Sequence, residues 1–300
     1  MSVKTSLQRR HIIGWSYGGL GTAVYLGITM NYFLYFLTEG AAISPEIASW
    51  VLLAPRLWDV VTDPIMGAIS DRTPGRMGRR RPWILFGGLL FALSFYLMFA
   101  IPNYDSEQAR ALWVVGFYLL VGTGYTMYEV PLNAMLPELS QNYQQRSQLA
   151  GYMMLSIRLG LIGTMLIGPF IFAATDDLAA GFRWVGAFAA IVIASCAIIV
   201  FISTSDAPRI DTTPASLRVV PELKALWQNR PFRVLALVHL LKMTGIGAAA
   251  TSVIYYLVFV MRAPEQAAGV ILSVTAATAT LVIPLWMWAM AKFGKKTTYS

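Results

Sequence analysis

Apolar positions along the chain come in long runs rather than in strict alternation. Eight stretches, about 11–38, 47–70, 83–101, 112–136, 148–175, 182–204, 232–261 and 266–290, are predominantly apolar. Each is long enough to cross a hydrocarbon core of roughly 30 Å. Inside lipid the backbone must satisfy its own hydrogen bonds, so runs of this length predict helices and not barrel strands. The first run is too long for a signal-peptide core and lacks a small-residue cleavage site, so it reads as a retained helix. Between the sixth and seventh runs lies the longest polar interval, SDAPRIDTTPASLRVVPELKALWQNRPF. Its prolines and mixed charges predict a linker carrying a short amphipathic helix near Val219–Asn229. The pattern as a whole predicts an all-α polytopic membrane protein. It divides into a six-helix bundle over 1–205, a cytoplasmic linker over 206–231, and the start of a second bundle over 232–300.

Composition agrees, since 57% of residues are hydrophobic and only 13% charged, far from the balance of a soluble domain. The net charge of +8 changes the picture only through its distribution. With the N-terminus cytoplasmic, 17 of the 23 Lys and Arg residues fall in cytoplasmic segments. Arg110, Arg183 and Arg262 fall outside, and Arg56, Arg158 and Lys242 fall within spans. This is the positive-inside bias, and it accounts for the basic charge without nucleic acid. The single cysteine, Cys196, lies mid-span and cannot form an intrachain disulfide.

Two segments echo each other. Pro64 precedes a cytoplasmic turn holding Arg72, Gly78, Arg79 and Arg80, and Pro284 precedes one holding Lys292, Gly294, Lys295 and Lys296. Internal repetition of this type is common in secondary transporters, whose two bundles rock around a midplane site. Six helices in the first unit and two in the second predict helices 1–8 of a twelve-helix protein.

Candidate chemistry concentrates in the second and fourth runs. Asp59 and Asp63 stand i,i+4 apart and so share one helical face. A carboxylate at that depth is costly unless it faces a polar cavity and holds a proton or a cation. Two in one site repel each other unless a cation sits between them. Pro64 cannot donate to the carbonyl of Val60, which leaves a further oxygen near the acids. A structural ion pair with Arg56 is the alternative for either acid. Glu129 lies deep in the fourth run, with Tyr125, Thr126 and Asn133 forming a polar stripe around it and Pro131 and Pro137 interrupting the helix beneath. Arg158 is too deep to reach the interface easily and calls for an acid partner or a substrate. Lys242 can snorkel to the headgroups or face the cavity, and Tyr255 and Tyr256 lie farther along the same run. The turn DRTPGRMGRRRPW sets topology. It also offers Asp71, Arg72, Gly75, Arg76, Arg79 and Arg80 as a cytoplasmic gate, with Asp71 capping or pairing to another helix end.

DRTPGRMGRRR resembles the loop 2–3 motif of the major facilitator superfamily. The longer string RLWDVVTDPIMGAISDRTPGRMGRRRPWIL is similar to the signature of its glycoside–pentoside–hexuronide:cation symporters, the melibiose permease family. YEVPLNAMLPELSQNYQQRSQL and AKFGKKTTY resemble that family's fourth helix and second-half loop, so the resemblance covers essentially the whole chain. It implies a major-facilitator-type helical bundle and a cation site at Asp59, Asp63 and Glu129, with Thr126 and Thr62 as neutral ligands. That site would take Na+ or H+ as the coupling ion, with no other cofactor and no catalytic residue. The melibiose permease pattern places a sugar-binding aspartate at Ala23, an aromatic at Asn133 and an arginine at Met154, so this chain departs from it. Arg158, one turn beyond Met154, together with Tyr125, Asn133, Lys242, Tyr255 and Tyr256, is the candidate substrate site. The resemblance implies a sugar or glycoside as the small-molecule substrate and the cytoplasmic (inner) membrane as the location. Two other classes use the same residues. A membrane hydrolase would need acids on different helices aimed at a water, and a non-transporting sensor would need a signalling tail.

Overall fold

The computed structural model describes residues 7–74, 77–173, 175, 177–207, 227–255, 260–262 and seven single positions between 274 and 292. Within these, side chains are described except at 166–173, 243 and 246–255. Among the described residues the regular structure is helical throughout. The helices are α1 (Arg9–Asn31), α2 (Pro45–Arg72), α3 (Arg81–Phe99), α4 (Glu107–Leu139), α5 (Tyr143–Ala173), α6 (Leu178–Ser203) and α7 (Arg230–Tyr255). The chain forms two compact units, residues 1–213 with 280–300 and residues 214–279. Helices α1–α6 belong to the first, and α7 to the second.

Local chemistry sets the helix ends. Ser106 accepts from the Ala109 amide at 3.0 Å to open α4, and Asp177 accepts from Ala179 and Ala180 at 3.0 and 3.2 Å to open α6. The α2–α3 turn places Gly78 at φ 91°, a conformation other residues adopt only with strain. The predicted first span is not one straight helix. After Asn31 the chain bends by 53° into Phe33–Gly40, which ends in a π-turn over Phe36–Gly40. The bend seats Phe33 and Phe36 against Phe99 and Phe182, with ring centroids 4.6–6.2 Å apart. Pro131 and Pro137 do not interrupt α4, which runs through both.

By length and composition, α3, α4 and α6 each qualify as membrane spans, and α1 with its bent continuation makes a fourth. Helices α2 and α5 form where spans were expected, and each carries charge at depth, Asp59 and Asp63 on one and Arg158 on the other. The eighth predicted span, 266–290, lies almost wholly outside the described residues, as does the linker helix near Val219–Asn229 apart from its last residues.

Helix α1 is the central strut, and its faces are sorted by partner. Gly19, Ala23 and Gly27 meet α5, where Met153, Gly160 and Thr164 close on them. Gly14 and Gly21 meet Ser203 and Cys196 of α6. Trp15, Gly18 and Thr22 face α4. Helix α3 packs on α4 and α6, and α2 packs on α4. Helices α3 and α4 cross with backbone close to backbone, since a Cβ at Gly124 would sit 2.6 Å from the Phe91 backbone nitrogen.

Candidate functional site

The α2–α4 contact brings the acids together, but as a chain and not a cluster. Asp63 Oδ1 accepts from Thr126 Oγ1 at 2.7 Å. Thr126 Oγ1 lies 3.5 Å from Thr62 Oγ1, which also donates to the Trp58 carbonyl at 3.1 Å. The Trp58 indole in turn donates to Thr123 Oγ1 at 2.9 Å, pinning α2 to α4 beside Asp59. Asp59 Oδ1 is buried without a hydrogen-bond partner. It faces Gly122, where an added Cβ would come within 3.1 Å of it. Glu129 Oε2 accepts from Thr22 of α1 at 2.5 Å, and Oε1 accepts from Asn133 at 2.9 Å.

Asp63 sits between the other two electrostatically, repelling both Asp59 and Glu129. Among the described residues, no three acid, imidazole or thiol groups converge closely enough to hold one metal ion. Nor does a salt bridge form there at Asp59, Asp63 or Glu129. Arg56 is exposed and attracts Asp59 only at longer range. The structural ion pair weighed for Asp59 is therefore not formed. Among the described residues, the hydrogen-bond partners of these carboxylates are neutral donors.

The candidate substrate residues are more scattered. Tyr125 is half-buried, its ring 4.8 Å from Tyr25 and 5.6 Å from Phe91. Asn133 is exposed and bonded to Glu129. Arg158 is exposed on α5, off the face that meets α1, and has no ion pair or hydrogen bond among the described residues. Ala23 is fully buried, with its Cβ 2.6 Å from where a Gly160 Cβ would sit, so that position is closed to a larger side chain. Lys242 is exposed on α7, in the second unit. The Tyr255 side chain and all of Tyr256 lie outside the described residues.

At the basic end, Arg80 donates to Asp71 Oδ1 at 2.5 Å and approaches Glu138 Oε1 at 3.5 Å. Arg79 also pairs with Glu138, its Nε at 3.0 Å. Asp71 thus pairs within its own turn, and the link to another helix end runs through the two arginines to α4. Arg72 is exposed, and Gly75 and Arg76 lie outside the described residues. Arg81 is buried and donates to the Phe201 carbonyl and to Thr204 Oγ1, at 3.2 Å for the latter, tying α3 to α6. Asp206 pairs with Arg10 and His11 at the start of α1.

Sequence reading passed over Thr22, Glu138 and Asp206. Charge balance offered a signal for Glu138, an acid on the same side as the arginines of the turn. Thr22 carried none, being one hydroxyl in an apolar run.

A family model described as MFS/sugar transport protein matches residues 14–300. The chain belongs to that family. It is thus a multi-pass membrane protein of the major facilitator type. Among its relatives, the inner membrane symporter YicJ of Escherichia coli is 25% identical over 84% of this chain and 55% of its own length. A sodium-dependent lysophosphatidylcholine symporter 1-B of Danio rerio is 27% identical over 93% of this chain and 60% of its own. The isoprimeverose transporter of Lactiplantibacillus pentosus is 24% identical over 90% and 57%. The chain spans about half to three-fifths of the length of these relatives.

Proposed function

We propose that this chain carries the cation-binding bundle of a secondary active transporter that couples Na+ or H+ to uptake of a sugar or glycoside by alternating access. In this reading it lies in the inner membrane with its N-terminus cytoplasmic. Residues 1–205 form the first bundle, and the segment from 232 begins the second. The observation that carries the reading is the acid chain, three carboxylates on α2 and α4 with neutral partners and one buried oxygen, Asp59 Oδ1, with none.

Uncompensated charge of this kind within a membrane bundle is stable only when a cation or proton completes it. Carboxylate and hydroxyl oxygens suit a hard ion. Occupancy removes the repulsion centred on Asp63 and draws α2 and α4 together. Because linkage is reciprocal, a substrate that prefers that arrangement raises cation affinity by the factor by which the cation raises its own. That the relatives are named as transporters and symporters favours this over hydrolysis.

The test is cation-driven uptake by Asp63→Asn and Asp59→Asn. Loss of gradient-driven accumulation in both, with protein still in the membrane, is expected. Undiminished accumulation in both refutes the assignment.

A second reading of the substrate rests on Ala23. Its burial against Gly160 closes the position where the melibiose permease pattern has a sugar-binding acid. One relative is named for lysophosphatidylcholine. An amphiphilic, non-sugar substrate is the alternative, and uptake of sugars against lysophosphatidylcholine under imposed sodium and proton gradients separates the two.

A further inference from the structure

Helices α1 and α4 are joined by side chains reaching across, in three buried polar rungs. Trp15 Nε1 donates to the Leu132 carbonyl at 3.0 Å, and Tyr128 Oη donates to the Gly18 carbonyl at 2.8 Å. Thr22 Oγ1 donates to Glu129 Oε2 at 2.5 Å. Trp15, Tyr128 and Thr22 are 1%, 0% and 3% exposed. Positions 15, 18 and 22 lie i, i+3 and i+7 along one face of α1, so the rungs share a stripe. Gly18 belongs to the device, because a Cβ there would sit 2.7 Å from Leu132 Cδ2 and 3.1 Å from the Tyr128 hydroxyl.

The third rung differs from the others in kind. The first two end on backbone carbonyls and hold the helices in register. The third ends on a carboxylate that repels Asp63. Glu129 has one donor on each oxygen, Asn133 from its own helix and Thr22 from α1. Asn133 is exposed and turns with α4, so Thr22 is the anchor that fixes Glu129 relative to the rest of the bundle.

We propose that Thr22 is a positioning residue of the cation site, holding the Glu129 carboxylate at a set place beside Asp63 so that cation binding on α2 and α4 is linked to α1. This rests on the symporter reading above. Without the hydroxyl, Glu129 keeps only its local donor and is free to swing. A sodium ion must then order it on binding, and sodium affinity falls. Hydrogen bonds to charged groups are worth roughly 1.5–3 kcal/mol, so the expected loss is tenfold or more.

The experiment uses the purified full chain in detergent, reading the shift of its melting temperature with NaCl and, in sodium-free choline buffer, with pH between 5 and 9. A ligand that binds the folded state raises the melting temperature with concentration, so the titration midpoint reports affinity. For whichever cation the wild type answers to, Thr22→Val moves the midpoint at least tenfold to higher sodium, or about one pH unit toward tighter proton binding, because the lost donor favoured the charged carboxylate. Thr22→Ser restores it. Trp15→Phe removes a backbone rung and lowers the melting temperature without moving the midpoint. A wild-type midpoint in Thr22→Val, failure of Thr22→Ser to restore it, or an equal shift in Trp15→Phe overturns the proposal. If Asp63→Asn abolishes the response while Thr22→Val leaves it intact, the positioning role fails and the symporter reading stands. A wild type that responds to neither cation overturns both.

Discussion

Gly122 offers a sharp steric test of the acid chain. It sits in α4 opposite Asp59, and a Cβ there would lie 3.1 Å from Asp59 Oδ1, with the next neighbours, Trp58 Cδ1 and Pro55 Cβ, at 3.8 and 3.9 Å. The carboxylate is thus the single group that must give way in Gly122→Ala, by about 0.3 Å to reach ordinary van der Waals distance. If that displacement falls along a cation–oxygen vector, lengthening a contact from about 2.4 to about 2.7 Å at an effective dielectric constant near 20 costs about 0.8 kcal/mol. That is about a fourfold loss of cation affinity. Gly122→Ala should therefore weaken sodium binding about fourfold while leaving the unliganded melting temperature within a few degrees. Gly122→Val, with two more carbons at the same point, should abolish binding. Cation titration of the melting temperature in the purified variants reads both. An unchanged midpoint in Gly122→Ala and Gly122→Val refutes the placement of Asp59 Oδ1 in the site.

Other parts of the bundle give independent predictions. Gly124→Ala forces a Cβ to within 2.6 and 2.7 Å of the Phe91 backbone nitrogen and Cα, which no rotamer change relieves. It should lower stability by about 1–3 kcal/mol, and thermal unfolding in detergent with an unchanged melting temperature would contradict the close crossing of α3 and α4. At the end of α4 away from the arginine turn, Glu107 Oε1 accepts from the Ser44 amide at 2.7 Å, and this backbone bond, aided by the Arg110 charge, holds the carboxyl below its ordinary range. A depressed folded value stabilises above the ordinary carboxyl range near about 4.3, and the stabilisation is lost as pH falls through the depressed value. Melting temperatures from pH 7 to pH 3 should drop less in Glu107→Gln than in the wild type, and parallel curves would show that the bond carries no linkage.

Helix existence was legible because length alone decides it in lipid: a run of about 20 apolar residues has few alternatives to a helix. What the runs conceal is where backbone and charge depart from that rule. The bend after Asn31 arises from aromatic packing of Phe33 and Phe36 against Phe99 and Phe182, partners about 60 to 150 residues away that no local pattern reveals. Pro131 and Pro137 read as breaks, yet α4 continues, because losing an amide donor costs one hydrogen bond while the neighbouring turns are held by α1 and α3. At the site, the i,i+4 spacing of Asp59 and Asp63 correctly placed both on α2. The assignment of Thr126 to Asp63 and Thr22 to Glu129 depends on how two pairs of helices cross, and it became visible only in the fold. Glycines mark those crossings, since Gly18, Gly122 and Gly124 each stand where another helix or an acid comes within about 3 Å.

The neutral character of the acids' partners bears on mechanism more than their number does. Had Arg56 closed on Asp59, or Arg158 on Glu129, each charge would be cancelled permanently and a passing cation would gain little. Instead Asp63 leans on a hydroxyl, Glu129 on a hydroxyl and an amide, and Asp59 keeps one oxygen bare. Such donors orient a carboxylate without discharging it, so the electrostatic energy released on cation entry remains available to move helices. Among the described residues the ion pairs lie elsewhere, at helix ends, where Arg79 and Arg80 clasp Asp71 and Glu138 and Arg183 approaches Asp177 at 3.8 Å. Permanent pairs thus sit where helix ends are held, and the unpaired acids sit where the proposed cation would bind. A variant that installs a base beside the acids, such as Thr62→Lys at the half-buried position whose hydroxyl lies 3.5 Å from that of Thr126, would test the contrast. It should give a protein that is folded, indifferent to sodium and pH, and unable to couple. Retained cation response in that variant would mean that the unpaired state of these acids is not what makes them sensitive.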